Sequence, residues 1–134
     1  MIFTPDEDSF VREHRLAVLS TIRKDGSPQA TPVYYVFDGE NLFISVTATR
    51  KKTLNVQRDS RVAMTVLAEQ FPFKHVQITG GAKITKTNLV DMSHLIWSTF
   101  REPPEHFVNL LADQQRVLLV VTPERATSNL VTSR

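Results

Sequence analysis

The sequence predicts a predominantly β protein, an antiparallel barrel of roughly six strands accompanied by a few short helices. Two observations carry that prediction. Apolar residues come in blocks of strand length, LAVLSTIR (16–23) and RVLLVVT (116–122) as buried runs and Leu42 to Thr47 as an alternation. Turn signals such as Asp25-Gly26 and Asp38-Gly39 join neighbouring blocks as hairpins, which argues against a doubly wound parallel sheet.

Each element has a local cause. Thr4-Pro5-Asp6-Glu7 opens a helix, with Thr as cap, Pro at the first position and acids facing the positive helix end. Phe10, Val11 and His14 mark its apolar face as far as about Arg15. The strand 16–23 then turns through Lys24 to Pro28 into a returning strand, Gln29 to Asp38. Pro32 in its middle has no ladder donor, so this strand belongs at an edge or carries a bulge. Asp38-Gly39-Glu40 leads to the strand Leu42 to Thr47, followed by Thr49-Arg50-Lys51-Lys52 and a short amphipathic turn with Leu54 and Val56. A strand from Val62 to Ala68 is interrupted by Phe71-Pro72-Phe73. It gives way to a long strand, His75 to Lys86, whose Gly80-Gly81 predicts a bulge or bend. Leu89, Met92, Leu95, Ile96 and Phe100 recur at helical spacing between Asn88 and about Arg101. Glu102-Pro103-Pro104 ends that helix; a short one follows around Glu105 to Ala112, then the core strand Arg116 to Thr122 and an extended tail from Pro123.

At 134 residues the chain is expected to form a single domain over 1–134. Its 41% hydrophobic and 22% charged content is that of a globular protein. A formal charge of +2 argues against a nucleic-acid partner, which would require a broad basic face. The absence of cysteine excludes disulfides, thiolate zinc sites and a cysteine nucleophile. MIFTPDEDSF carries acids where a signal peptide needs cations, and no apolar run approaches a membrane span, so a cytoplasmic location without membrane partners is expected.

The most informative segment is Asn41 to Met64. Arg50, Lys51 and Lys52 stand beside threonines where a strand gives way to a helical turn. Arg offers a planar fork, Lys a point charge, and Thr and backbone N–H groups neutral donors, a set suited to phosphate. The competing explanation is a solvated basic turn. Arg58, Arg61 and Lys24 are further cations that either extend an anion site or decorate the surface. His75, His94, His106 and Asp91 invite a metal reading, but no His pair has helical ligand spacing, and no metal is expected. Tyr34 and Tyr35 must face opposite sides of their strand, one core and one groove or interface, and Trp97 belongs to core or interface. No Ser-His-Asp order, paired-carboxylate motif or phosphate-binding glycine loop is present, and no catalytic residue can be assigned.

Four segments, LAVLSTIRKDGSPQATPVYYVFDGENLFISV, TRKKTLNVQRDSRVAM, HVQITGGAKI and RVLLVV, resemble in order and spacing the split-barrel flavin and deazaflavin proteins related to pyridoxamine phosphate oxidase. Lys52-Thr53-Leu54-Asn55-Val56 is similar to that family's phosphate-binding turn, with Arg50 as the basic residue before it. The resemblance implies a six-stranded split β-barrel of the FMN-binding type, a homodimer, and a cofactor held in a groove at the subunit interface. The Arg-x-Lys form of the turn looks most like the branch that binds the deazaflavin F420 and uses its reduced form to pass hydride to an unsaturated organic substrate. FMN is the alternative cofactor, and a non-catalytic flavin, deazaflavin or haem carrier the alternative function. Carried onto this chain, the resemblance places Arg50 and Lys52, with Lys51, on the phosphate. Thr31, Pro32, Val33 and Val46 fall against the ring, Thr47 within reach of a ribityl hydroxyl or the phosphate, and His75 near the cofactor of the partner subunit.

Overall fold

The computed structural model describes residues 2–130. The elements run α1 (Pro5–Glu13), β1 (Leu16–Ile22), β2 (Pro28–Tyr34), β3 (Val36–Phe37), β4 (Leu42–Thr47), α2 (Lys51–Arg58), β5 (Arg61–Leu67), β6 (His75–Thr85), α3 (Leu89–Ser98), α4 (Phe107–Asp113) and β7 (Arg116–Ser128). The α1 cap is reciprocal. Glu7 N donates to Thr4 Oγ1 at 3.2 Å, and Thr4 N donates to Glu7 Oε1 at 3.0 Å.

All strands join one antiparallel sheet in the order β2-β1-β5-β6-β7-β4-β3. Among the described residues the count is seven strands, not six, because the run expected from Gln29 to Asp38 breaks at Tyr35. Tyr35 N donates to Arg15 O at 3.0 Å, outside any ladder, and its ring enters the core, where the hydroxyl donates to Val11 O at 2.7 Å. That break also shapes the barrel. β2 and β3 lie at opposite ends of the hydrogen-bonding order, yet Tyr35 alone separates them. One residue spans only about 3.5 Å. The two edges must therefore meet, and the sheet curls on itself.

Closure is incomplete. β3 pairs with β4 through Val36–Phe43 and Phe37–Leu42, after which β4 continues from Ile44 to Thr47 laddered to β7 alone. β2 is laddered to β1 alone, the edge position that Pro32 predicts. The barrel is split between β2 and β4.

Alternation fills the interior with Ala17, Leu19, Leu42, Ile44, Val46, Met64, Val66, Val76, Ile78, Val117, Leu119 and Val121. β7 is buried on its outer face too, where Leu118 and Val120 pack against Ile96 of α3, which explains its unbroken apolar run. The bulge expected at Gly80 is present as a register shift between Thr79 and Gly80. A Cβ at Gly80 would lie 2.1 Å from Thr122 O, so only glycine allows β6 and β7 to approach there.

Helix α2 turns differently from the expected amphipathic pattern. Thr53, Asn55 and Val56 are buried, whereas Leu54 is 46% exposed. Residues two apart on a helix are about 200° apart in angle, so Leu54 and Val56 cannot share a buried face. Among the described residues, no helix is long and apolar enough to cross a membrane.

Candidate functional site

The split between β2 and β4 opens into a cleft of about 360 Å³, a volume suited to a small organic molecule. β2 contributes Pro32, Val33 and Tyr34, β4 contributes Ser45, and α3 covers the opening with Ser93, Ile96 and Trp97. Phe100 and Arg101 follow from the end of α3. Lys52, Arg101 and Arg116 supply charge, and among the described residues no carboxylate lines the cleft.

The position of Lys52 is set by the burial of α2. Thr53 Oγ1 donates to Thr47 O at 2.8 Å, tying the helix to the end of β4. The Asn55 amide donates to Thr21 Oγ1 at 3.1 Å and Gln29 Oε1 at 2.9 Å, tying it to the opening hairpin. Lys52 is thereby carried to the split, where its half-buried Nζ donates to Thr31 Oγ1 at 3.4 Å. Arg116 arrives from the other side, opposite Thr47 in the β4–β7 register. Its guanidinium donates to Gln114 Oε1 at 2.9 Å and Ser45 O at 3.4 Å.

Arg50 is the N-cap residue of α2, makes no side-chain cap bond, and lies exposed beside both. Burial pushes the Lys52 ammonium below its ordinary pKa, and the charges of Arg50 and then Arg116 push it further. Burial and Arg50 likewise lower Arg116. The first turn of α2 contains no acid, so these cations also face the positive end of the helix dipole. Such crowding costs free energy in the ligand-free chain and is relieved by an anion.

The structure sorts the expected residues. Thr31, Pro32, Val33, Lys52 and the end of β4 come together at the cleft. Val46 is 1% exposed and points into the core; the pleat turns its neighbour Ser45 to the cleft instead. Thr47 offers its carbonyl to Arg50 N and to the Thr53 hydroxyl. Lys51 faces a second groove with Arg23, Lys24 and Arg58. Arg58 braces Ile22 O at 2.8 Å, and Arg61 is paired to Asp59 at 2.8 Å, holding that carboxyl down at about 2. His75 opens β6 opposite Leu67, its backbone N–H bonded to Asn129 Oδ1 at 2.8 Å, and does not line the cleft of its own chain.

Tyr34 and Tyr35 do part, Tyr35 into the core and Tyr34 to the cleft, where it stacks on Phe100 with centroids 4.6 Å apart. Sequence reasoning missed Arg116, Ser45, Ser93 and Arg101. The only available signal for Arg116 was a cation at the start of an apolar strand, and its meaning depends on β7 lying beside β4.

Comparison with known proteins agrees with the fold. Residues 3–129 match the family profile described as pyridoxamine 5'-phosphate oxidase. An F420 reductase of known structure is 25% identical, superimposes with a TM-score of 0.73, and aligns over 90% of this chain and 94% of its own. A conserved hypothetical protein of Mycobacterium tuberculosis is 26% identical, with a TM-score of 0.77 over 96% of this chain and 85% of its own. The haem storage protein HutZ of Vibrio cholerae shares the fold at 18% identity, with a TM-score of 0.68 over 95% of this chain and 94% of its own.

Proposed function

The chain belongs to the pyridoxamine 5'-phosphate oxidase family, and on that premise we propose that it is an F420-dependent oxidoreductase reducing an unsaturated organic molecule. The observation that carries this reading is the meeting of Lys52 and Arg116 in a cleft whose described lining residues include no carboxylate, with Arg50 close enough to act on the charge of both. A phosphate there would bond Lys52 and Arg116 and take up the positive potential of the α2 N-terminus. The opening between β2 and β4 would admit the flat ring against Pro32 and Val33. F420 is favoured over FMN by the 25% identity to an F420 reductase and by a groove in which four cations, Arg23, Lys24, Lys51 and Arg58, outnumber one acid, Asp25, a balance that suits a tail of carboxylates.

A bound reduced deazaflavin would supply a hydride, and the acceptor would take up one proton from solvent to complete the two-electron reduction. The chain's share is binding, orientation and exclusion of water. Tyr34, Phe100 and Trp97 give the acceptor an aromatic wall, and the nearby cations favour negative charge developing on it. A cytoplasmic homodimer, with His75 approaching the partner's cofactor, belongs to the same proposal.

The test is to load the purified protein with reduced F420 and follow recovery of the oxidised chromophore after adding conjugated ketones. Acceptor-dependent oxidation faster than that of free cofactor is the expected result. Retention of F420 without turnover would assign a carrier role, and productive turnover with FMN alone would assign a flavin enzyme.

A further inference from the structure

Two polar atoms in the wall of this cleft have no use in the ligand-free chain. Ser93 is 2% exposed and its Oγ has no hydrogen-bond partner among the described residues; the indole Nε1 of Trp97 is likewise buried and unpartnered among them. Both residues line the cleft. They lie one helical turn apart on α3, so both present to the same face. Leaving a buried donor unmatched costs roughly 1–3 kcal/mol, and water does not offset that cost because both atoms are shielded from it.

Their chemistry specifies what is missing. An indole N–H donates only, and a serine hydroxyl donates readily, so the complement is an oxygen with free lone pairs. Around them the wall is flat and aromatic. Trp97 stacks towards Phe100 at 6.1 Å, Phe100 stacks on Tyr34 at 4.6 Å, and the Arg101 guanidinium lies 5.2 Å from the Trp97 ring centre. That wall favours a planar molecule bearing an exocyclic oxygen.

We propose that Ser93 and Trp97 form a donor pair that selects acceptor substrates carrying a carbonyl or nitro oxygen on a planar ring. Rotation about the Ser93 side chain and a small shift of the half-buried Trp97 ring bring both donors to the oxygen as the molecule wedges beneath α3. The inference rests on the reading of the cleft as a hydride-transfer site and adds what that site recognises.

Trp97 is the only tryptophan in the chain, so intrinsic fluorescence reports on this wall directly. The experiment titrates acetophenone, and ethylbenzene as its deoxygenated analogue, into the parent, Ser93→Ala and Trp97→Phe, with calorimetry replacing fluorescence for the last. The parent should bind acetophenone more tightly than ethylbenzene. Either substitution should weaken acetophenone by roughly three- to tenfold more than it weakens ethylbenzene. The ligand-free melting temperature of Ser93→Ala should hold or rise, because an unmatched hydroxyl is removed. Equal binding of the two ligands by the parent, unchanged acetophenone affinity in both variants, or a marked fall in melting temperature would overturn the donor pair. F420 is titrated into the same proteins. Binding of F420 alongside a failed ketone test overturns this inference alone, whereas failure of the parent to bind F420 overturns the reading beneath it.

Discussion

Lys52 occupies a position where stability alone would favour an acid. It lies in the first turn of α2, half-buried, with Arg50 and Arg116 beside it. The folded chain therefore binds the Lys52 proton less tightly than the unfolded chain does. Ligand-free stability should then rise as pH climbs through the lowered value towards the ordinary lysine value of ~10.4, because the unfolded state holds the extra proton in that window. Lys52→Met should remove this rise and leave the melting temperature at neutral pH unchanged or higher, which thermal melts across alkaline pH would check. A loss of stability at neutral pH would mean that the lysine is a structural contact. The sequence shows Arg50 to Lys52 as a basic turn, because a run of cations is a local feature. Arg116 and Ser93 are not legible in this way, since each gains its role only when distant strands or helices arrive beside it.

Among the elements, the Tyr35 break governs the architecture. Strand periodicity places Tyr34 and Tyr35 on opposite faces, and the structure agrees. Periodicity cannot show that the chain leaves one sheet edge at Tyr34 and joins the other at Val36, because that switch depends on a long-range contact, the hydroxyl of Tyr35 to Val11 O at 2.7 Å. Tyr35→Phe leaves that buried carbonyl unpaired and should cost about 1–3 kcal/mol in denaturant unfolding. Because the switch also sets the gap between β2 and β4, the variant should bind cofactor more weakly as well. Full affinity at reduced stability would show that the gap is fixed elsewhere. The strands, the edge proline and the Gly80 bulge are legible because hairpin turns, missing donors and paired glycines act locally. The face of α2 was misjudged at Leu54 because what it buries is polar: Thr53 and Asn55 are held by hydrogen bonds that hydrophobic patterning does not register.

For the molecule as a whole, the open question is what covers its remaining apolar surface. Of the large apolar side chains Phe37, Phe43, Trp97 and Phe100, which the sequence offers to an interface, the first three are partly buried within the chain, Phe37 on the barrel core and Phe43 on the Ile96 cluster, whereas Phe100 is 39% exposed. Further exposed apolar groups lie elsewhere, with Phe71 84% exposed and Phe73, Val108 and Leu95 also outside. A second copy is the partner we propose for them, burying more than ~1,000 Å² in total. Light scattering at micromolar concentration should give twice the 15.2 kDa chain mass; a monomer would contradict this and leave His75 without access to a cofactor.

The central claim is that the cation-lined split holds F420. Calorimetric titration of the parent, Lys52→Ala and Arg116→Ala with F420 and with FMN, at low and high salt, tests it most directly. F420 should bind the parent more tightly than FMN, with the preference shrinking as salt screens the carboxylate tail. Each substitution should raise the F420 dissociation constant by roughly ten- to a hundredfold. Tighter binding of FMN, or variants that bind F420 as the parent does, would contradict it.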